Sequence, residues 1–421
     1  MPHYHIWTIG CQMNKADSES IAAFLEQCGY SSTSKIDNAD IVVLNSCVVR
    51  QSAESKVANK IDALRRLDAD KVLAVTGCIV DAKVDGLQNR FPRVDVFFGP
   101  QDVGALSAYL QGRGLVESSA ATQNLISKPK VSSLVNIMHG CNNFCSYCIV
   151  PYRRGREVSR PLADIVSEVQ LLAEVGTKEV VLLGQNVDSY GRGLAGSPML
   201  ADLLEELNCI DGLARIRFLT SHPKDMSEQL IAAMARLDKV CEHLSLPFQA
   251  GDDGILEAMR RGYTNEQYRH LVQRIRRSVP DVALSTDVIV GFPGESEEQY
   301  KKTCEMIEDM RFDTVHIACY SPRAGTIASR ELKDDVPANE KIRRRKELEA
   351  LQERIAGEIN SELKGRMVEV LVEGRKKGKW WGRTRTDKLV FFTDTIDRLG
   401  HLVNIRIEST SPWSLQGRIE G

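Results

Sequence analysis

Three cysteines with the spacing CxxxCxxC lie close together near the middle of the chain, at Cys141, Cys145 and Cys148. Three thiolates on one short loop can bind one face of a [4Fe-4S] cluster, whereas a cluster with only protein ligands needs a fourth cysteine. No fourth cysteine follows nearby. By analogy with catalytic metal sites that keep one position open, this arrangement leaves one iron free for a small molecule.

S-adenosylmethionine suits such an open iron because its amino and carboxylate groups can chelate the metal. Electron transfer into its sulfonium can cleave a C–S bond and give a carbon radical, which is chemistry that the cofactor brings and the protein positions. Two other interpretations stay open: a zinc site that recruits His139 as a fourth ligand, and a buried cysteine cluster without metal. The spacing at the end of a predicted strand, followed by βα repeats, favours the iron–sulfur site.

Three further cysteines each follow the end of a predicted strand: Cys11 after Gly10, Cys47 after Ser46 and Cys78 after Gly77. In a parallel sheet the carboxyl ends of the strands lie along one edge, where such folds bind ligands. We therefore expect these thiols to converge, although each alone could be an inert buried thiol. A second cluster beside a radical generator suggests an enzyme that inserts sulfur. The remaining cysteines share no such position and are expected to be structural: Cys28, Cys209, Cys241, Cys304 and Cys319.

The elements that must position these cysteines alternate between strand and helix, which predicts an α/β fold class with parallel sheets. Residues 1–116 form the first predicted domain, with strands at 4–9, 39–44, 71–75 and 94–98 and helices at 18–28 and 53–66. Residues 131–360 form the second, with strands at 135–138, 179–183, 214–219, 242–246, 282–290 and 314–320. Six βα units indicate a barrel or partial barrel whose chemistry lies at the carboxyl ends of the strands. A polar linker over 117–130 separates the two domains.

A third predicted domain, over residues 364–421, is a small OB-like β-barrel with strands at 367–372, 379–386, 389–392 and 402–407. It carries twelve Lys or Arg against seven Asp or Glu, although the whole chain has a formal net charge of −2. Basic side chains mixed with aromatic ones suit phosphate contacts and base stacking. A barrel with core aromatics and a solvated basic face is the alternative. The aromatic residues are Trp380, Trp381, Phe391, Phe392 and Trp413.

Composition narrows the class of protein further. With 421 residues, 43% hydrophobic content and no apolar run of about 20 residues, the chain reads as a soluble protein of two or three domains. The first residues lack a basic segment followed by an apolar one, so no secretory signal is visible. Eleven cysteines in such a protein indicate thiols or metal ligands rather than disulfides, and we expect a cytoplasmic protein without membrane association.

The order of these parts resembles the methylthiotransferases, which have an N-terminal three-cysteine domain, a radical-SAM barrel and a C-terminal TRAM domain. The resemblance covers nearly the whole chain. Two segments, Gly-Cys-Gln-Met-Asn at 10–14 and the stretch at 140–157, are similar to the tRNA-modifying MiaB branch. The branch usually has Thr where Arg153 stands.

The resemblance implies two [4Fe-4S] clusters and S-adenosylmethionine as cofactors. Cys141, Cys145 and Cys148 would hold the catalytic, radical-generating cluster, and Cys11, Cys47 and Cys78 the auxiliary one. Candidates for the cofactor pocket lie at the ends of later strands, although each could instead be a cap or turn residue. They are Gln185, Ser221, Gln249 and Asp287, whereas His222 is expected to be structural.

The implied reaction converts N6-isopentenyladenosine, next to the anticodon of tRNA, to its 2-methylthio derivative. One S-adenosylmethionine would methylate sulfur on the auxiliary cluster, and a second would yield the 5'-deoxyadenosyl radical that activates C2–H. The basic tail would hold the anticodon stem-loop over the barrel mouth, and an electron donor such as a flavodoxin or ferredoxin and a sulfur source would take part.

Three other functions stay open. Related branches act on threonylcarbamoyl-adenosine in tRNA or on an aspartate of a ribosomal protein, and both share the six cysteines. A non-catalytic iron–sulfur protein that binds RNA is the alternative from a different class.

Overall fold

The computed structural model describes most of the chain, namely residues 1–47, 51–64, 70–80, 84–100, 102–117 and 130–420. The predicted linker at 117–130 lies almost wholly outside these ranges. Within them, no helix is both long and apolar enough to cross a membrane. The chain forms two compact units, the first made of Met1–Pro129, His139–Asn142 and Cys148–Glu157, the second of Lys130–Met138, Asn143–Tyr147 and Val158–Gly421.

The first unit is built on a parallel sheet with the strand order β2-β1-β3-β4-β5. Its central strands end at the same level, because Ile9 pairs with Ser46 and Ser46 pairs with Gly77. The cysteines that follow these strands therefore start from one edge. The strands are β1 (His3–Ile9), β2 (Ser31–Ser32), β3 (Ile41–Ser46), β4 (Val72–Gly77) and β5 (Val96–Phe97). The helices are α1 (Gln12–Gln27), α2 (Gln51–Ala63), α3 (Val84–Arg90) and α4 (Val103–Gly112).

Apolar side chains cover both faces of this sheet. Alternate residues of β3 point to opposite faces, so Val42 and Leu44 join one hydrophobic cluster and Ile41 and Val43 the other. Because both faces are buried, β3 and β4 read as continuous apolar runs. The helix predicted from residue 18 begins earlier, at Gln12, since its first turn is Gln-Met-Asn and carries little apolar periodicity.

The second unit contains six parallel strands in chain order. They form two three-stranded sheets, which a bridge between Ile216 and Val240 connects. Among the described residues β6 and β13 do not pair, so this is a partial barrel, and the predicted α/β fold class is confirmed. The strands are β6 (Ser132–Asn136), β9 (Glu179–Leu183), β10 (Arg215–Phe218), β11 (His243–Ser245), β12 (Ala283–Val290) and β13 (Thr314–Cys319).

Helices connect these strands, as expected of βα repeats. They are α6 (Leu162–Glu174), α7 (Leu200–Asn208), α8 (Glu228–Arg236), α9 (Asp253–Ala258), α10 (Asn265–Ser278), α11 (Glu297–Met310), α12 (Ile327–Glu331) and α13 (Ala338–Ser361). Three short elements lie between β6 and α6: β7 (Met138–His139), α5 (Val150–Arg153) and β8 (Val158–Ser159).

The C-terminal strands close into a five-stranded barrel in the order β14-β15-β16-β18-β17. The sequence predicts four of these strands and misses the fifth, Leu415–Ile419, whose five residues carry only a short pattern. That strand closes the barrel because it pairs with both β16 and β17. The strands are β14 (Met367–Lys376), β15 (Lys379–Thr384), β16 (Leu389–Phe392), β17 (Leu402–Thr410) and β18 (Leu415–Ile419).

The aromatic residues of this barrel divide between core and surface. Trp380 and Phe392 belong to its hydrophobic core, whereas Trp413 is 57% exposed. The core interpretation therefore holds for Trp380 and Phe392, and base stacking by Trp413 stays a prediction.

Two buried arginines of β10 bind the barrel to the partial barrel. Arg215 Nη1 donates to the carbonyl of Arg383 at 2.7 Å, and Arg217 donates to the carbonyls of Thr384 and Arg385 at 2.6 and 2.7 Å. Arg217 Nε also donates to Glu179 Oε2 at 2.7 Å, in a pair whose side chains are each 4% exposed.

Further ion pairs show which edge of the sheet the barrel contacts. Arg385 bonds both carboxylate oxygens of Glu242, and Lys388 lies 2.6 Å from Asp313. Glu242 and Asp313 immediately precede β11 and β13, so the barrel docks at the amino-terminal edge of the sheet. That this domain holds the anticodon stem-loop over the barrel mouth concerns bound RNA and stays a prediction. Composition indicates what a domain binds, but not where it docks.

Replacing Arg217 with Met should lower the free energy of unfolding by about 3–5 kcal/mol, because Glu179 would stay buried without its cation. Urea denaturation followed by tryptophan fluorescence tests this, since Trp380, Trp381 and Trp413 all lie in the C-terminal barrel. As a control, Arg236→Met removes an exposed ion pair with Glu205 and should cost about 0–1 kcal/mol. Equal stability of the two variants would contradict the prediction.

Candidate functional site

Cys11, Cys47 and Cys78 converge at the carboxyl edge of the first sheet. The backbone N–H of Cys47 donates to Ile9 at 2.8 Å and that of Cys78 donates to Ser46 at 2.7 Å, so both residues extend the ladder by one position. The Cys47 side chain is within hydrogen-bonding reach of those of Cys11 and Cys78, and its single S–H can donate to either sulfur. One edge thus presents three neighbouring thiols, as expected of parallel strands that end at the same level.

Local electrostatics favours the thiolate form at two of these cysteines. The hydrogen bond with Cys47 lowers the pKa of Cys11 to about 5, and the backbone N–H groups of Asn14 and Met13 at the start of α1 add to this effect against burial. The hydrogen bond with Cys47, assisted by the charge of Arg154, lowers the pKa of Cys78 to about 6. The thiolate is the form that binds metal.

A pair of fully buried asparagines fixes α1 to β3 below the thiols. Asn14 Nδ2 donates to Asn45 Oδ1 at 3.0 Å, and Asn45 Nδ2 donates to the Asn14 carbonyl at 2.8 Å and to Ser18 Oγ at 2.8 Å. Cys11 Sγ lies 3.3 Å from Asn14 Oδ1. Asn14 thus has a structural role within Gly-Cys-Gln-Met-Asn, and sequence reasoning missed Asn45, which reads only as one polar residue in an apolar strand.

The donor set fits an iron–sulfur cluster better than a single metal ion. Among the described residues, no three His, Cys, Asp or Glu side chains surround a common point as ligands of one ion would. A cubane cluster instead takes each thiolate on a different iron, so its ligands need only line one face. The convergent thiols meet this weaker requirement.

The CxxxCxxC loop divides between the two units, with Cys141 and Cys148 in the first and Cys145 in the second. In the first unit, the backbone N–H of Cys141 donates to the Gly155 carbonyl at 3.2 Å. Gly140 has a φ of +71°, and a Cβ there would lie 2.0 Å from the carbonyl oxygen of Arg156. Only glycine therefore lets the chain approach this segment so closely.

In the second unit, Cys145 is buried and its Sγ lies 3.5 Å from Nη1 of Arg261. The same guanidinium donates to the carbonyl of Pro247 at 2.8 Å. Next to Cys145, the backbone N–H of Ser146 donates to the Met259 carbonyl at 3.0 Å. Sequence reasoning missed Arg261, because no short motif connects it to a cysteine that lies 116 residues earlier.

The predicted cofactor-pocket residues do not share one position. Gln185, Ser221 and Gln249 lie beyond the carboxyl ends of β9, β10 and β11, as expected. Asp287 instead lies inside β12, paired with His316. The expectation of a strand-end position was thus wrong for Asp287, which also lies inside the strand that the sequence predicts over 282–290.

Ser221 has a local partner. Its hydroxyl donates to Asp188 Oδ1 at 2.8 Å, and the backbone N–H of His222 donates to Asp188 Oδ2 at 2.8 Å. Burial raises the pKa of Asp188 to about 7 even though both hydrogen bonds oppose it. Ser221 therefore helps to fix the loop after β10. This is the role of a cap or turn residue, which was the alternative to cofactor binding.

Four buried polar atoms at this edge have no hydrogen-bond partner among the described residues: Gln185 Oε1, Asn186 Oδ1, His222 Nε2 and Gln249 Oε1. They follow three successive strands, β9, β10 and β11. An unpaired buried polar group costs about 1–3 kcal/mol, so a cluster of them indicates a polar ligand. The carboxylate, amino, ribose and adenine groups of S-adenosylmethionine could satisfy them. His222 would bind as the neutral ring, because burial lowers its pKa to about 2.

The C-terminal barrel presents a basic turn between β14 and β15. Arg375, Lys376, Lys377 and Lys379 are all exposed there, and the Arg375 guanidinium lies 5.2 Å from the Trp380 ring centroid. Such a group can contact phosphates without reading sequence.

Gly140→Ala should disrupt the triplet site while all its cysteines remain, because the new Cβ would clash with a backbone carbonyl. Reconstituted iron should fall from about eight to about four per chain, the content of one four-iron cluster, by colorimetric iron assay. Gly155→Ala is the matched control, since Gly155 has a similar φ of +78° but open space around its Cβ. Gly155→Ala should lower the free energy of unfolding by about 1–2 kcal/mol, and the variant should keep its iron. Full iron content in Gly140→Ala would refute the prediction.

Three family models match successive parts of the chain. "Uncharacterized protein family UPF0004" matches residues 3–99, "Radical SAM superfamily" matches 135–307, and "TRAM domain" matches 362–419.

Solved structures with a similar fold include the radical S-adenosylmethionine methyltransferase TsrM from Kitasatospora setae. It has a TM-score of 0.56 at 14% identity and covers 78% of this chain and 77% of its own. The cobalamin-dependent radical enzyme OxsB has a TM-score of 0.52 at 10% identity, covering 73% of this chain and 52% of its own. At these identities the likeness shows a shared fold.

Curated relatives match from end to end. The tRNA-2-methylthio-N(6)-dimethylallyladenosine synthase of Dehalococcoides mccartyi (strain CBDB1) is 51% identical over 100% of this chain and 99% of its own length. Enzymes with the same name from Roseiflexus sp. (strain RS-1) and Thermoanaerobacter sp. (strain X514) are 48% and 43% identical, over 98% and 99% of this chain and 89% and 92% of their own lengths. The chain therefore belongs to the family of tRNA-2-methylthio-N(6)-dimethylallyladenosine synthases.

Proposed function

We propose that this protein is a radical S-adenosylmethionine methylthiotransferase that converts N6-isopentenyladenosine, next to the anticodon of tRNA, to 2-methylthio-N6-isopentenyladenosine. The observation that carries the proposal is the convergence of Cys11, Cys47 and Cys78 in a chain that also contains a CxxxCxxC loop. Sulfur insertion needs a centre that holds sulfur as well as one that starts radical chemistry, and the chain has one cysteine set for each.

In this proposal, residues 1–116 hold the auxiliary [4Fe-4S] cluster through the convergent cysteines. Residues 131–360 form the radical-SAM barrel, with a second [4Fe-4S] cluster on Cys141, Cys145 and Cys148. When bound, the clusters and S-adenosylmethionine supply reductive C–S cleavage together with the sulfur and methyl group that adenine C2 receives.

The chain's own residues have three tasks in this chemistry. The edge of the first sheet supplies ligands already biased toward thiolate, which removes part of the proton cost of binding iron. Arg261 holds Cys145 against the segment after α9. Gln185, His222 and Gln249 offer the unpaired polar atoms that orient the cofactor. No acid or base is needed for the substrate hydrogen, because it leaves as an atom.

The C-terminal barrel, residues 364–421, supplies RNA affinity. Its basic turn provides charge for phosphates, and the exposed Trp413 offers a surface on which a base can stack. Since the barrel docks at the amino-terminal edge of the sheet, this charge contacts RNA away from the carboxyl edge. We therefore place the stem of the anticodon stem-loop, rather than the reacting base, against the barrel.

Electrons and sulfur must come from outside the chain in each cycle. We propose a flavodoxin or ferredoxin as the electron donor and a separate sulfur source that restores the auxiliary site. Both partners are consistent with a cytoplasmic protein.

Cys145→Ala should abolish production of 5'-deoxyadenosine by the reduced enzyme while leaving tRNA binding intact. The physical reason is that two remaining thiolates cannot hold the cluster face. Chromatography of the reaction and a tRNA binding assay measure the two properties separately. Cys209→Ala, which changes an exposed cysteine outside both sets, is the control and should retain activity.

Complementation in a deletion strain tests the substrate. Mass spectrometry of tRNA nucleosides should find the 2-methylthio-isopentenyl nucleoside with the native chain and not with Cys145→Ala. Detection of a methylthiolated threonylcarbamoyl nucleoside or of a modified ribosomal protein, without the isopentenyl product, would contradict the proposed substrate. Continued cleavage of S-adenosylmethionine by Cys145→Ala would overturn the assignment of the triplet.

Replacing Lys376, Lys377 and Lys379 together with Ala should weaken tRNA binding and flatten its salt dependence. The slope of log K against log salt is negative, and each lost phosphate contact should make it less steep by about 0.7–0.9. A filter-binding titration at several salt concentrations measures this. A control with the same charge change, Lys301, Lys333 and Lys346 to Ala, alters exposed lysines outside the barrel. Identical slopes for the two triple variants would contradict a role for the basic turn.

A further inference from the structure

Arg154 is a buried arginine that contacts Cys78, one of the three convergent cysteines of the first unit. It lies six residues after Cys148, in the segment Cys148–Glu157 that belongs to the first unit. Its Nε donates to Cys78 Sγ at 3.2 Å, and its Nη2 donates to Asp17 Oδ2 at 2.9 Å. A thiol, a guanidinium and a carboxylate are thus connected in a row.

This row is deeply buried. The side chain of Arg154 is 3% exposed and that of Asp17 is 1% exposed. Arg154 Nη1 and Asp17 Oδ1 are also buried, with no hydrogen-bond partner among the described residues. Burying an ion pair costs several kcal/mol per ion before the mutual attraction offsets it, so apolar residues would serve folding alone equally well. The unpaired donor indicates that the arginine faces more negative charge than Asp17 and Cys78 provide by themselves.

We propose that Arg154 is a positioning residue of the auxiliary site, which orients the Cys78 thiolate and sets the reduction potential of the cluster bound there. The proposal rests on the function above, in which Cys11, Cys47 and Cys78 hold that cluster. Three thiolates and a four-iron cluster carry net negative charge, and a one-electron reduction adds another. A buried cation hydrogen-bonded to a ligand sulfur stabilises the more negative state and so raises the potential.

Asp17 acts in the opposite direction on the same centre. Its carboxylate neutralises part of the guanidinium charge, so it limits how far Arg154 raises the potential. The two residues therefore form a balanced pair whose members should shift the potential with opposite signs. General damage to the site would not produce such a difference in sign.

The test isolates the auxiliary cluster by replacing Cys141, Cys145 and Cys148 with Ala in the full-length chain. This parent should bind about four irons per chain. Its midpoint potential is measured by reduction with dithionite, with electron paramagnetic resonance as the readout. Arg154→Met should move the midpoint to a more negative potential, and Asp17→Asn should move it to a more positive one. Arg154→Lys, which keeps the charge but loses the fork of donors, should fall between Arg154→Met and the parent.

Two further variants distinguish a specific effect on the midpoint potential from misfolding. Arg154→Met alone leaves Asp17 buried without its partner, so the combined variant Asp17→Asn with Arg154→Met is compared with Asp17→Asn and should have the more negative midpoint. Arg113→Met removes an exposed arginine of the same unit and should leave the midpoint unchanged.

The outcomes separate the two levels of the proposal. A parent that binds no iron overturns the assigned ligand set, and the role of Arg154 with it. A parent that binds four irons but has the same midpoint in every variant overturns the role of Arg154 alone. Shifts of the same sign in Arg154→Met and Asp17→Asn overturn it as well.

Discussion

The alignment of the carboxyl ends of three parallel strands, β1, β3 and β4, is the constraint on which the rest of this structure depends. Because Ile9, Ser46 and Gly77 pair at one level, cysteines that are 36 and 31 residues apart start from the same edge of the sheet. A slip of one residue in any of these strands would turn the following thiol to the other face. The apolar clusters on both faces, and the Asn14–Asn45 pair between α1 and β3, hold the register and therefore the site.

Both cysteine sets include a sulfur that contacts a buried arginine. Arg154 bonds Cys78 in the first unit, and Arg261 contacts Cys145 in the second. In the proposed function the same arrangement serves both sets, because thiolates assembled around a cluster repel one another and a guanidinium offers both charge and directed donors. Arg261 is held by the carbonyl of Pro247, whereas Arg154 is held by a carboxylate. The neighbours of the two cysteine sets therefore differ in charge, in line with the two different tasks that we propose for them.

The docking of the C-terminal barrel also depends on arginine. Arg215 and Arg217 reach from β10 to backbone carbonyls of β15 and the turn after it, and Arg385 reaches back to Glu242. The hydrogen bonds from Arg215 and Arg217 to backbone carbonyls do not depend on the side chains of the barrel. The exposed side chains of the barrel can therefore vary while these contacts with the sheet remain. The ion pairs occupy the amino-terminal edge, opposite the carboxyl edge at which we propose that the cofactor binds.

The sequence by itself determined the chemistry, because ligand spacing and the ends of strands are local patterns. CxxxCxxC, the three strand-end cysteines and the alternation of strand and helix predicted the two cysteine sets and the fold class, and the resemblance of the domain order and of two segments to the methylthiotransferases predicted the family. Other features depend on how distant parts of the chain pack. Arg154, Arg261 and Asn45 act on residues far away in sequence, and β18 pairs with two strands to close a barrel. The place of the basic barrel likewise follows from hydrogen bonds and ion pairs between residues more than 70 positions apart. Such contacts are fixed only when the whole chain folds, since no local pattern records which distant partner a buried charge will meet.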